Sequence, residues 1–404
     1  MKRILAGVVA AGMVFTSCAA VPSGLVGTGI IPQTLARTNE YDYSRLNEFQ
    51  TKLWQNMASD STNALSPLSA YIALAMCASG AEGETLDEFN AVGIGGDEQG
   101  LALAALISEL TAQPAESESE SATARIEIAD SVWVDDSFEV KSEYLQTLTD
   151  YFAAEAFNVD LPSSTERINS WIETKTNSHI KDMLSEIPAD TLMMLVSTLY
   201  LDAEWETKFD SLSTHPGEFY SNSSTRTEDF MHSSGSVRVV DNDDCVGVVL
   251  PYLGGRIEFC ALMPSDANLT TSQLIARLDG DDSIPKLAAE AESERVALAL
   301  PRFEVETSTS LYDVLSSLGL ESMFGASADF SGMTDGNISV SEVLQNVYVR
   351  VDEEGTEAAA ATAVIMCGGL AETEKPREIS FDRPFVWAIY DKVSGAILFC
   401  GEYN

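Results

Sequence analysis

Three histidines, His179, His215 and His232, are all the imidazole chemistry this 404-residue chain offers. None stands in an HExxH-like spacing that would bring two rings to one metal ion. No GxSxG turn lifts a serine out of a strand, and no glycine-rich Walker loop cradles phosphates. Asp241, Asp243 and Asp244 begin like a calcium loop. Cys245 then falls where an oxygen ligand belongs and the glycine is misplaced, so these acids read as a solvated turn. No metal and no cofactor are expected. A Ser-His-Asp triad draws its members from distant parts of a chain, so a hydrolase stays open on residue types alone.

The segment that stands out instead is Asp352-Glu-Glu-Gly-Thr-Glu-Ala-Ala-Ala-Ala-Thr-Ala-Val-Ile-Met366. Local propensity reads it as an alanine-rich helix capped by Thr356. Its context says otherwise. Val347, Val349 and Val351 alternate with polar residues just before it, the pattern of a half-buried strand. Cys367-Gly368-Gly369-Leu370 follows it, then a polar run to Arg377.

The elements that must position this segment show period and punctuation. Leu46, Phe49, Leu53, Trp54 and Met57 recur at helical spacing. Ser66-Pro67 begins a helix, serine as cap and proline in the first turn, and residues 68–78 are apolar nearly all round, hence buried. Ile168, Trp171 and Ile172 mark one face of an amphipathic helix. Residues 191–201 form a long apolar run rich in β-branched side chains, a central strand. Residues 385–389 and 397–400 flank a turn at Gly395. Helices dominate early and strands late, without βαβ alternation, which predicts an α+β fold.

Across residues 43–404 a series of blocks resembles the serpin family, in family order. Asn63-Ala-Leu-Ser-Pro-Leu-Ser69 and Gly80-Ala-Glu-Gly-Glu-Thr85 look like its buried second helix and the following turn. Ile168-Asn-Ser-Trp-Ile172 and Thr176-Asn-Ser-His-Ile-Lys181 are similar to its sixth helix. Residues 195–205 with Phe209, Thr214 and Phe219 resemble the third strand of its main sheet and the breach beyond it. Leu250-Pro-Tyr252, Leu262-Met-Pro264, Leu300-Pro-Arg-Phe303, Leu318-Gly-Leu320, Ala328-Asp-Phe-Ser-Gly332, Phe381-Asp-Arg-Pro-Phe385 and Leu398-Phe-Cys-Gly401 match further blocks.

The resemblance implies one domain of about nine helices around a large main sheet of about five strands, with two smaller sheets and an exposed reactive loop over about 353–380. It implies a suicide-substrate inhibitor of serine proteases rather than an enzyme. The protease cuts the loop, stays bound as an acyl-enzyme, and is trapped as the loop inserts into the main sheet. The hinge is then Glu354, Gly355, Thr356, Glu357, Ala358, Ala359, Ala360, Ala361 and Thr362. A zipped-in strand would turn Thr356, Ala358, Ala360, Thr362, Val364 and Met366 inward, all small or apolar, with Glu357 outward. No proline breaks the ladder and no charge is buried. The family's count from Gly355 puts the cut between Gly369 and Leu370, while side chains also suit cleavage after Met366, Cys367 or Leu370. No Arg or Lys occurs between Gly355 and Glu374, which disfavours trypsin-like targets and points to elastase-like or subtilisin-like ones, with chymotrypsin-like ones behind. Cys367 is read as an incidental small residue or an oxidisable switch. The alternative function is a non-inhibitory serpin acting as a cell-surface binding protein.

The resemblance also marks a sheet-opening gate of Ser66, Ser69, Asn63, Ser197 and Gln345, and a breach at Trp205. The family usually has Asn where Ser197 stands and His-Lys where Gln345-Asn346 stands. The gate's hydrogen bonds must therefore be rewired, with Gln345 offering both a donor and an acceptor.

The N-terminus reads as a targeting segment. Lys2 and Arg3 precede an apolar run over 4–15 too short to span a bilayer. Phe15-Thr16-Ser17-Cys18 resembles a bacterial lipobox, so residues 1–17 are expected to be a lipoprotein signal, Cys18 the lipidated residue and 18–42 a tether. The expected location is the outer face of a bacterial membrane, or secretion. The 63 acidic against 23 basic residues give a net charge of -40, which excludes nucleic-acid binding and adsorption to anionic membranes. Membrane contact is expected only through the lipid, and the chain is expected to be a monomer. Cys77, Cys260 and Cys400 lie in apolar runs and read as core residues.

Overall fold

The apolar run after Ser66-Pro67 folds as a helix, Pro67–Ala78, in which every residue is buried. Proline fits its first turn because the missing N–H has no partner there anyway. Each buried Leu or Ile side chain contributes roughly 1.5–3 kcal/mol. The computed structural model describes residues 25–28, 41–112, 124–152, 154–176, 178, 180–266, 268–356 and 375–404. Among these it has nine α-helices: α1 (Ser44–Met57), α2 (Pro67–Ala78), α3 (Gly83–Ala91), α4 (Asp97–Leu110), α5 (Ser142–Thr147), α6 (Thr165–Lys175), α7 (Thr271–Ile275), α8 (Ile284–Glu290) and α9 (Tyr312–Ser317).

Strands numbered in chain order make two sheets. The main sheet runs β1 (Leu25–Thr28), β4 (Glu155–Val159), β3 (Arg125–Asp135), β5 (Met193–Glu204), β13 (Gly355–Thr356), β12 (Glu342–Val351) and β11 (Phe303–Ser310). Five are the strands expected for the main sheet. The other two are short additions. Strand β1 lies inside the segment read as a tether and pairs antiparallel with β4. Strand β13 stands where local propensity reads the cap of an alanine-rich helix; Gly355 and Thr356 instead pair with the strands on either side.

The second sheet runs β14 (Arg377–Ser380), β10 (Glu292–Pro301), β7 (Thr225–Asp241), β8 (Cys245–Pro251), β9 (Ile257–Pro264), β15 (Phe385–Asp391), β16 (Ile397–Tyr403) and β2 (Asn63–Leu65), with β6 (His215–Tyr220) alongside β7. The two smaller sheets expected from the sequence are thus continuous. Strand β7 joins them: Phe230 to Val239 pair with β10, while Arg238 to Asp241 pair with β8.

Alternation along β5 gives the main sheet two apolar faces. Met193, Leu195, Leu199, Leu201 and Ala203 join the large core that contains α2. Met194 and Val196 join a smaller core under α6. There the rings of Trp133 and Phe157 stack at 3.9 Å and Trp171 meets Trp133 edge-on.

The junction of β5 and β12 positions everything that follows. The two strands pair directly, in parallel, only at Met194–Glu342, Leu195–Val343 and Val196–Leu344. Beyond that fork, residues 197–202 and 345–350 do not pair with each other among the described residues. At the far end β13 lies between the strands. Gly355 and Thr356 pair with Glu204 and Ala203 of β5, and Thr356 pairs with Val351 of β12.

Candidate functional site

The far end of the cleft holds the hinge root. Thr356 is buried at 2% exposure, its hydroxyl 2.5 Å from that of Tyr252. The Tyr252 ring stacks on Trp205 at 4.4 Å, and burial pushes its phenol well above the ordinary range. Trp205 Nε1 donates to Asp352 O at 2.8 Å, and its backbone N–H donates to Glu354 O at 2.9 Å. Gly355 is required here. A Cβ on it would stand 1.9 Å from Ala203 O, at a φ of +155° that favours glycine.

Charges tie the approach to this root. Lys208 Nζ reaches Glu354 Oε2 at 2.7 Å and Glu204 Oε2 at 3.0 Å. Burial alone would lower the Lys208 ammonium's pKa; hydrogen bonds to Glu354 and Glu204 outweigh it and raise it. Glu353 accepts from Thr214 Oγ1 at 2.6 Å, and its backbone carbonyl accepts from Phe209 N at 3.0 Å. Asp352 folds the turn on itself by accepting from the Glu354 N–H at 2.9 Å and pairs with Arg350 at 2.9 Å.

The fork holds the second group of residues. The Gln345 carboxamide accepts from the Ser66 N–H at 2.9 Å and donates to the Ser66 carbonyl at 2.8 Å. The side chain of β12 thus clamps the start of α2, where the Ser66 hydroxyl makes no capping bond. On the other side Ser69 Oγ lies 2.6 Å from Ser197 Oγ of β5. Both clamps are neutral and buried, and they stand where the β5–β12 ladder stops.

The structure brings Ser66, Ser69, Ser197 and Gln345 together, but not Asn63. That side chain sits on β2 against β16, donating to Glu402 Oε1 at 3.0 Å and accepting from the Glu402 N–H at 3.2 Å. The buried Glu402 carboxylate needs donors, and it takes Asn63 away from the gate. Glu354, Gly355, Thr356 and Trp205 lie together at the far end. Glu357, Ala358, Ala359, Ala360, Ala361, Thr362, Met366, Cys367, Gly369, Leu370 and Cys18 lie outside the described residues.

Sequence reasoning missed Tyr252, Lys208 and Asp130 as participants. Tyr252 carried only the signal of a Pro-Tyr pair closing an apolar strand. Asp130 carried a clearer one, an acid inside the strand between Ile126 and Val134.

The groups weighed for catalysis do other things. The His215 and His232 rings lie 5.6 Å apart on β6 and β7. Burial, then the neighbouring His215, lowers the pKa of His232. Asp241 pairs with Arg377, and Asp244 with Arg277, so the acidic turn is held by surface ion pairs. Cys77, Cys245, Cys260 and Cys400 are buried free thiols. Among the described residues no three His, Cys, Asp or Glu side chains group to hold a metal, and no helix is long and apolar enough to cross a membrane.

Known proteins agree with this architecture. The family model described as serpin (serine protease inhibitor) matches residues 44–404. An uncharacterized serpin-like protein of Thermococcus kodakarensis is 31% identical over 370 residues, covering 88% of this chain and 84% of that protein. A serine protease inhibitor of Cyanea capillata is 33% identical over 353 residues, covering 83% and 90%. The crystal structure of the thermophilic serpin tengpin in its native state superposes with a TM-score of 0.82 at 29% identity, covering 93% of this chain and 96% of that one. With a family match spanning the described fold, and a hinge root set between the third and fifth long strands of the main sheet, the chain belongs to the serpin family.

Proposed function

We propose that this serpin is a suicide-substrate inhibitor of serine proteases that cleave after small or apolar residues, elastase-like or subtilisin-like. The protease serine attacks the Gly369 carbonyl, the Gly369–Leu370 bond breaks, and the Leu370 amine leaves with the C-terminal segment. The acyl ester on Gly369 persists because the hinge then zips into the main sheet between β5 and β12, displacing the protease's catalytic groups. Met366 and Cys367 are the alternative cleavage positions. The observation that carries this reading is the hinge root: Gly355 and Thr356 already pair within the sheet, beyond a stretch where β5 and β12 do not pair with each other. The residues from Ala358 to Met366 that strand alternation would turn inward on insertion are small or apolar, so insertion would bury no charge. We further propose that Cys18 is lipidated and that the domain works outside the cell, held by the tether.

The test is incubation with elastase, subtilisin and trypsin followed by denaturing gels. A denaturant-stable complex with elastase or subtilisin is expected. Clean cleavage between Met366 and Leu370 with no complex would instead fit the non-inhibitory binding role.

A further inference from the structure

Strand β3 lies beside β5, and Asp130 pairs with Ser197, the first residue past the fork. By alternation its side chain shares the face of Ile126, Val132 and Val134, the face covered by α2. It is 3% exposed, and neither carboxyl oxygen has a hydrogen-bond partner. A buried acid without partners is costly to ionise, and proteins seldom keep one in a strand without a use.

No charged side chain faces Asp130. Helix α2 carries none; its titratable groups are Tyr71, which donates to Gly93 O, and Cys77, whose thiol burial pushes up. From β5 come Ser197 and the aliphatic Leu195 and Leu199. The carboxamide of Gln345 on β12 is committed to Ser66. Nearby Tyr144 of α5 donates to Met76 O. On β4, Glu155 belongs to the other face, where it holds Trp171 and Lys175. Arg125 and Glu127 of β3 itself pair with each other. The dominant influence is burial, which pushes the Asp130 carboxyl up to about 7, with the Ser197 hydroxyl pulling the other way.

We propose that Asp130 is a proton-operated catch on the fork: the neutral acid keeps β5 seated under α2, and its ionisation favours separation of β5 from β12. Opening the fork breaks the Ser69–Ser197 contact, leaves the Ser197 hydroxyl to the carboxylate alone and admits water to it. The ionised form therefore prefers the open sheet. The proposal rests on the inhibitor reading only for its purpose, since the catch would set how readily the hinge inserts; the opening equilibrium itself is a property of the uncomplexed protein.

The closed fork holds one more proton than the open one between the ordinary aspartate pKa and about 7. Opening should therefore rise about tenfold per pH unit below about 7 and level off above it. The test is hydrogen–deuterium exchange of the full chain, corrected for intrinsic rates, in peptides covering 194–196 and 342–344, where β5 and β12 pair, from pH 5 to 9. In the wild type, protection is expected to fall about 100-fold from pH 5 to 7 and then flatten. Asp130→Asn should be flat at the well-protected level, and Asp130→Ser, a smaller neutral residue, serves if the amide folds poorly. A flat wild-type profile, or the same slope in either neutral variant, overturns the proposal. No protease enters the measurement, so failure of inhibition and failure of the catch are read separately.

Discussion

The hinge root and the fork lie at opposite ends of one cleft and are held in opposite ways. At the root, donors converge on three consecutive acids: the Arg350 guanidinium on Asp352, the Thr214 hydroxyl on Glu353 and the Lys208 ammonium on Glu354. A stacked Trp205–Tyr252 pair then fixes Thr356. At the fork, two small neutral clamps join α2 to the separating strands, beside a buried acid with no charged partner. Charge-assisted bonds are roughly twice as strong as neutral ones. The molecule is therefore firmly tied where β13 sits between the strands and lightly tied at the fork, towards which insertion would advance in the proposed mechanism. That asymmetry suits a device that is to open in one direction.

The largest expected effect comes from placing a charge at the root. Thr356→Arg would bury an unpaired guanidinium, a cost of several kcal/mol. We expect the variant to be cleaved without forming a denaturant-stable complex, and gels with a susceptible protease check it. Undiminished complex formation would detach the root from the mechanism.

Next is the fork. Gln345→Leu removes both bonds to Ser66 and leaves that backbone N–H and carbonyl buried without partners, at about 1–3 kcal/mol each. The urea midpoint is expected to fall, and exchange at 345–350 to quicken while exchange around Trp205 stays unchanged. Loss of protection at both ends together would mean that the two regions are one cooperative unit.

Asp130 titration comes third. Its folded pKa lies above the ordinary aspartate value, so its contribution favours the native state fully below about pH 4. That contribution is lost as pH rises towards 7. Thermal or urea stability followed across that interval should decline in the wild type relative to Asp130→Asn. Parallel curves would remove the acid from the account of the fork.

Smallest is Tyr252→Phe, which keeps the stacked ring and removes only the hydroxyl facing Thr356. The expected destabilisation is about 1 kcal/mol, confined to exchange at the root. A larger loss would show that the hydroxyl, not the ring, anchors the hinge.

Much of this was legible in the sequence, and the exceptions have physical causes. The buried α2 announced itself through Ser66-Pro67 and eleven apolar-patterned positions after it. Strand β12 did so through alternating valines. The roles of contacts between distant segments were not legible. The family resemblance marked Asn63 as a gate residue, but the carboxylate that its side chain meets lies 339 residues away. Propensity read Thr356 as the cap of an alanine-rich helix, because local preference cannot see two strands waiting on either side. The continuity of the two smaller sheets rests on the length of β7, which composition does not mark.

The central claim is that the cleft between β5 and β12 receives the cut loop. The direct measurement is hydrogen–deuterium exchange at 197–202 and 345–350 before and after reaction with an elastase-like or subtilisin-like protease. If the loop enters there, both segments gain strand partners and become strongly protected in the complex. A stable complex whose exchange at both segments stays as it was in the uncut protein would contradict insertion between these strands.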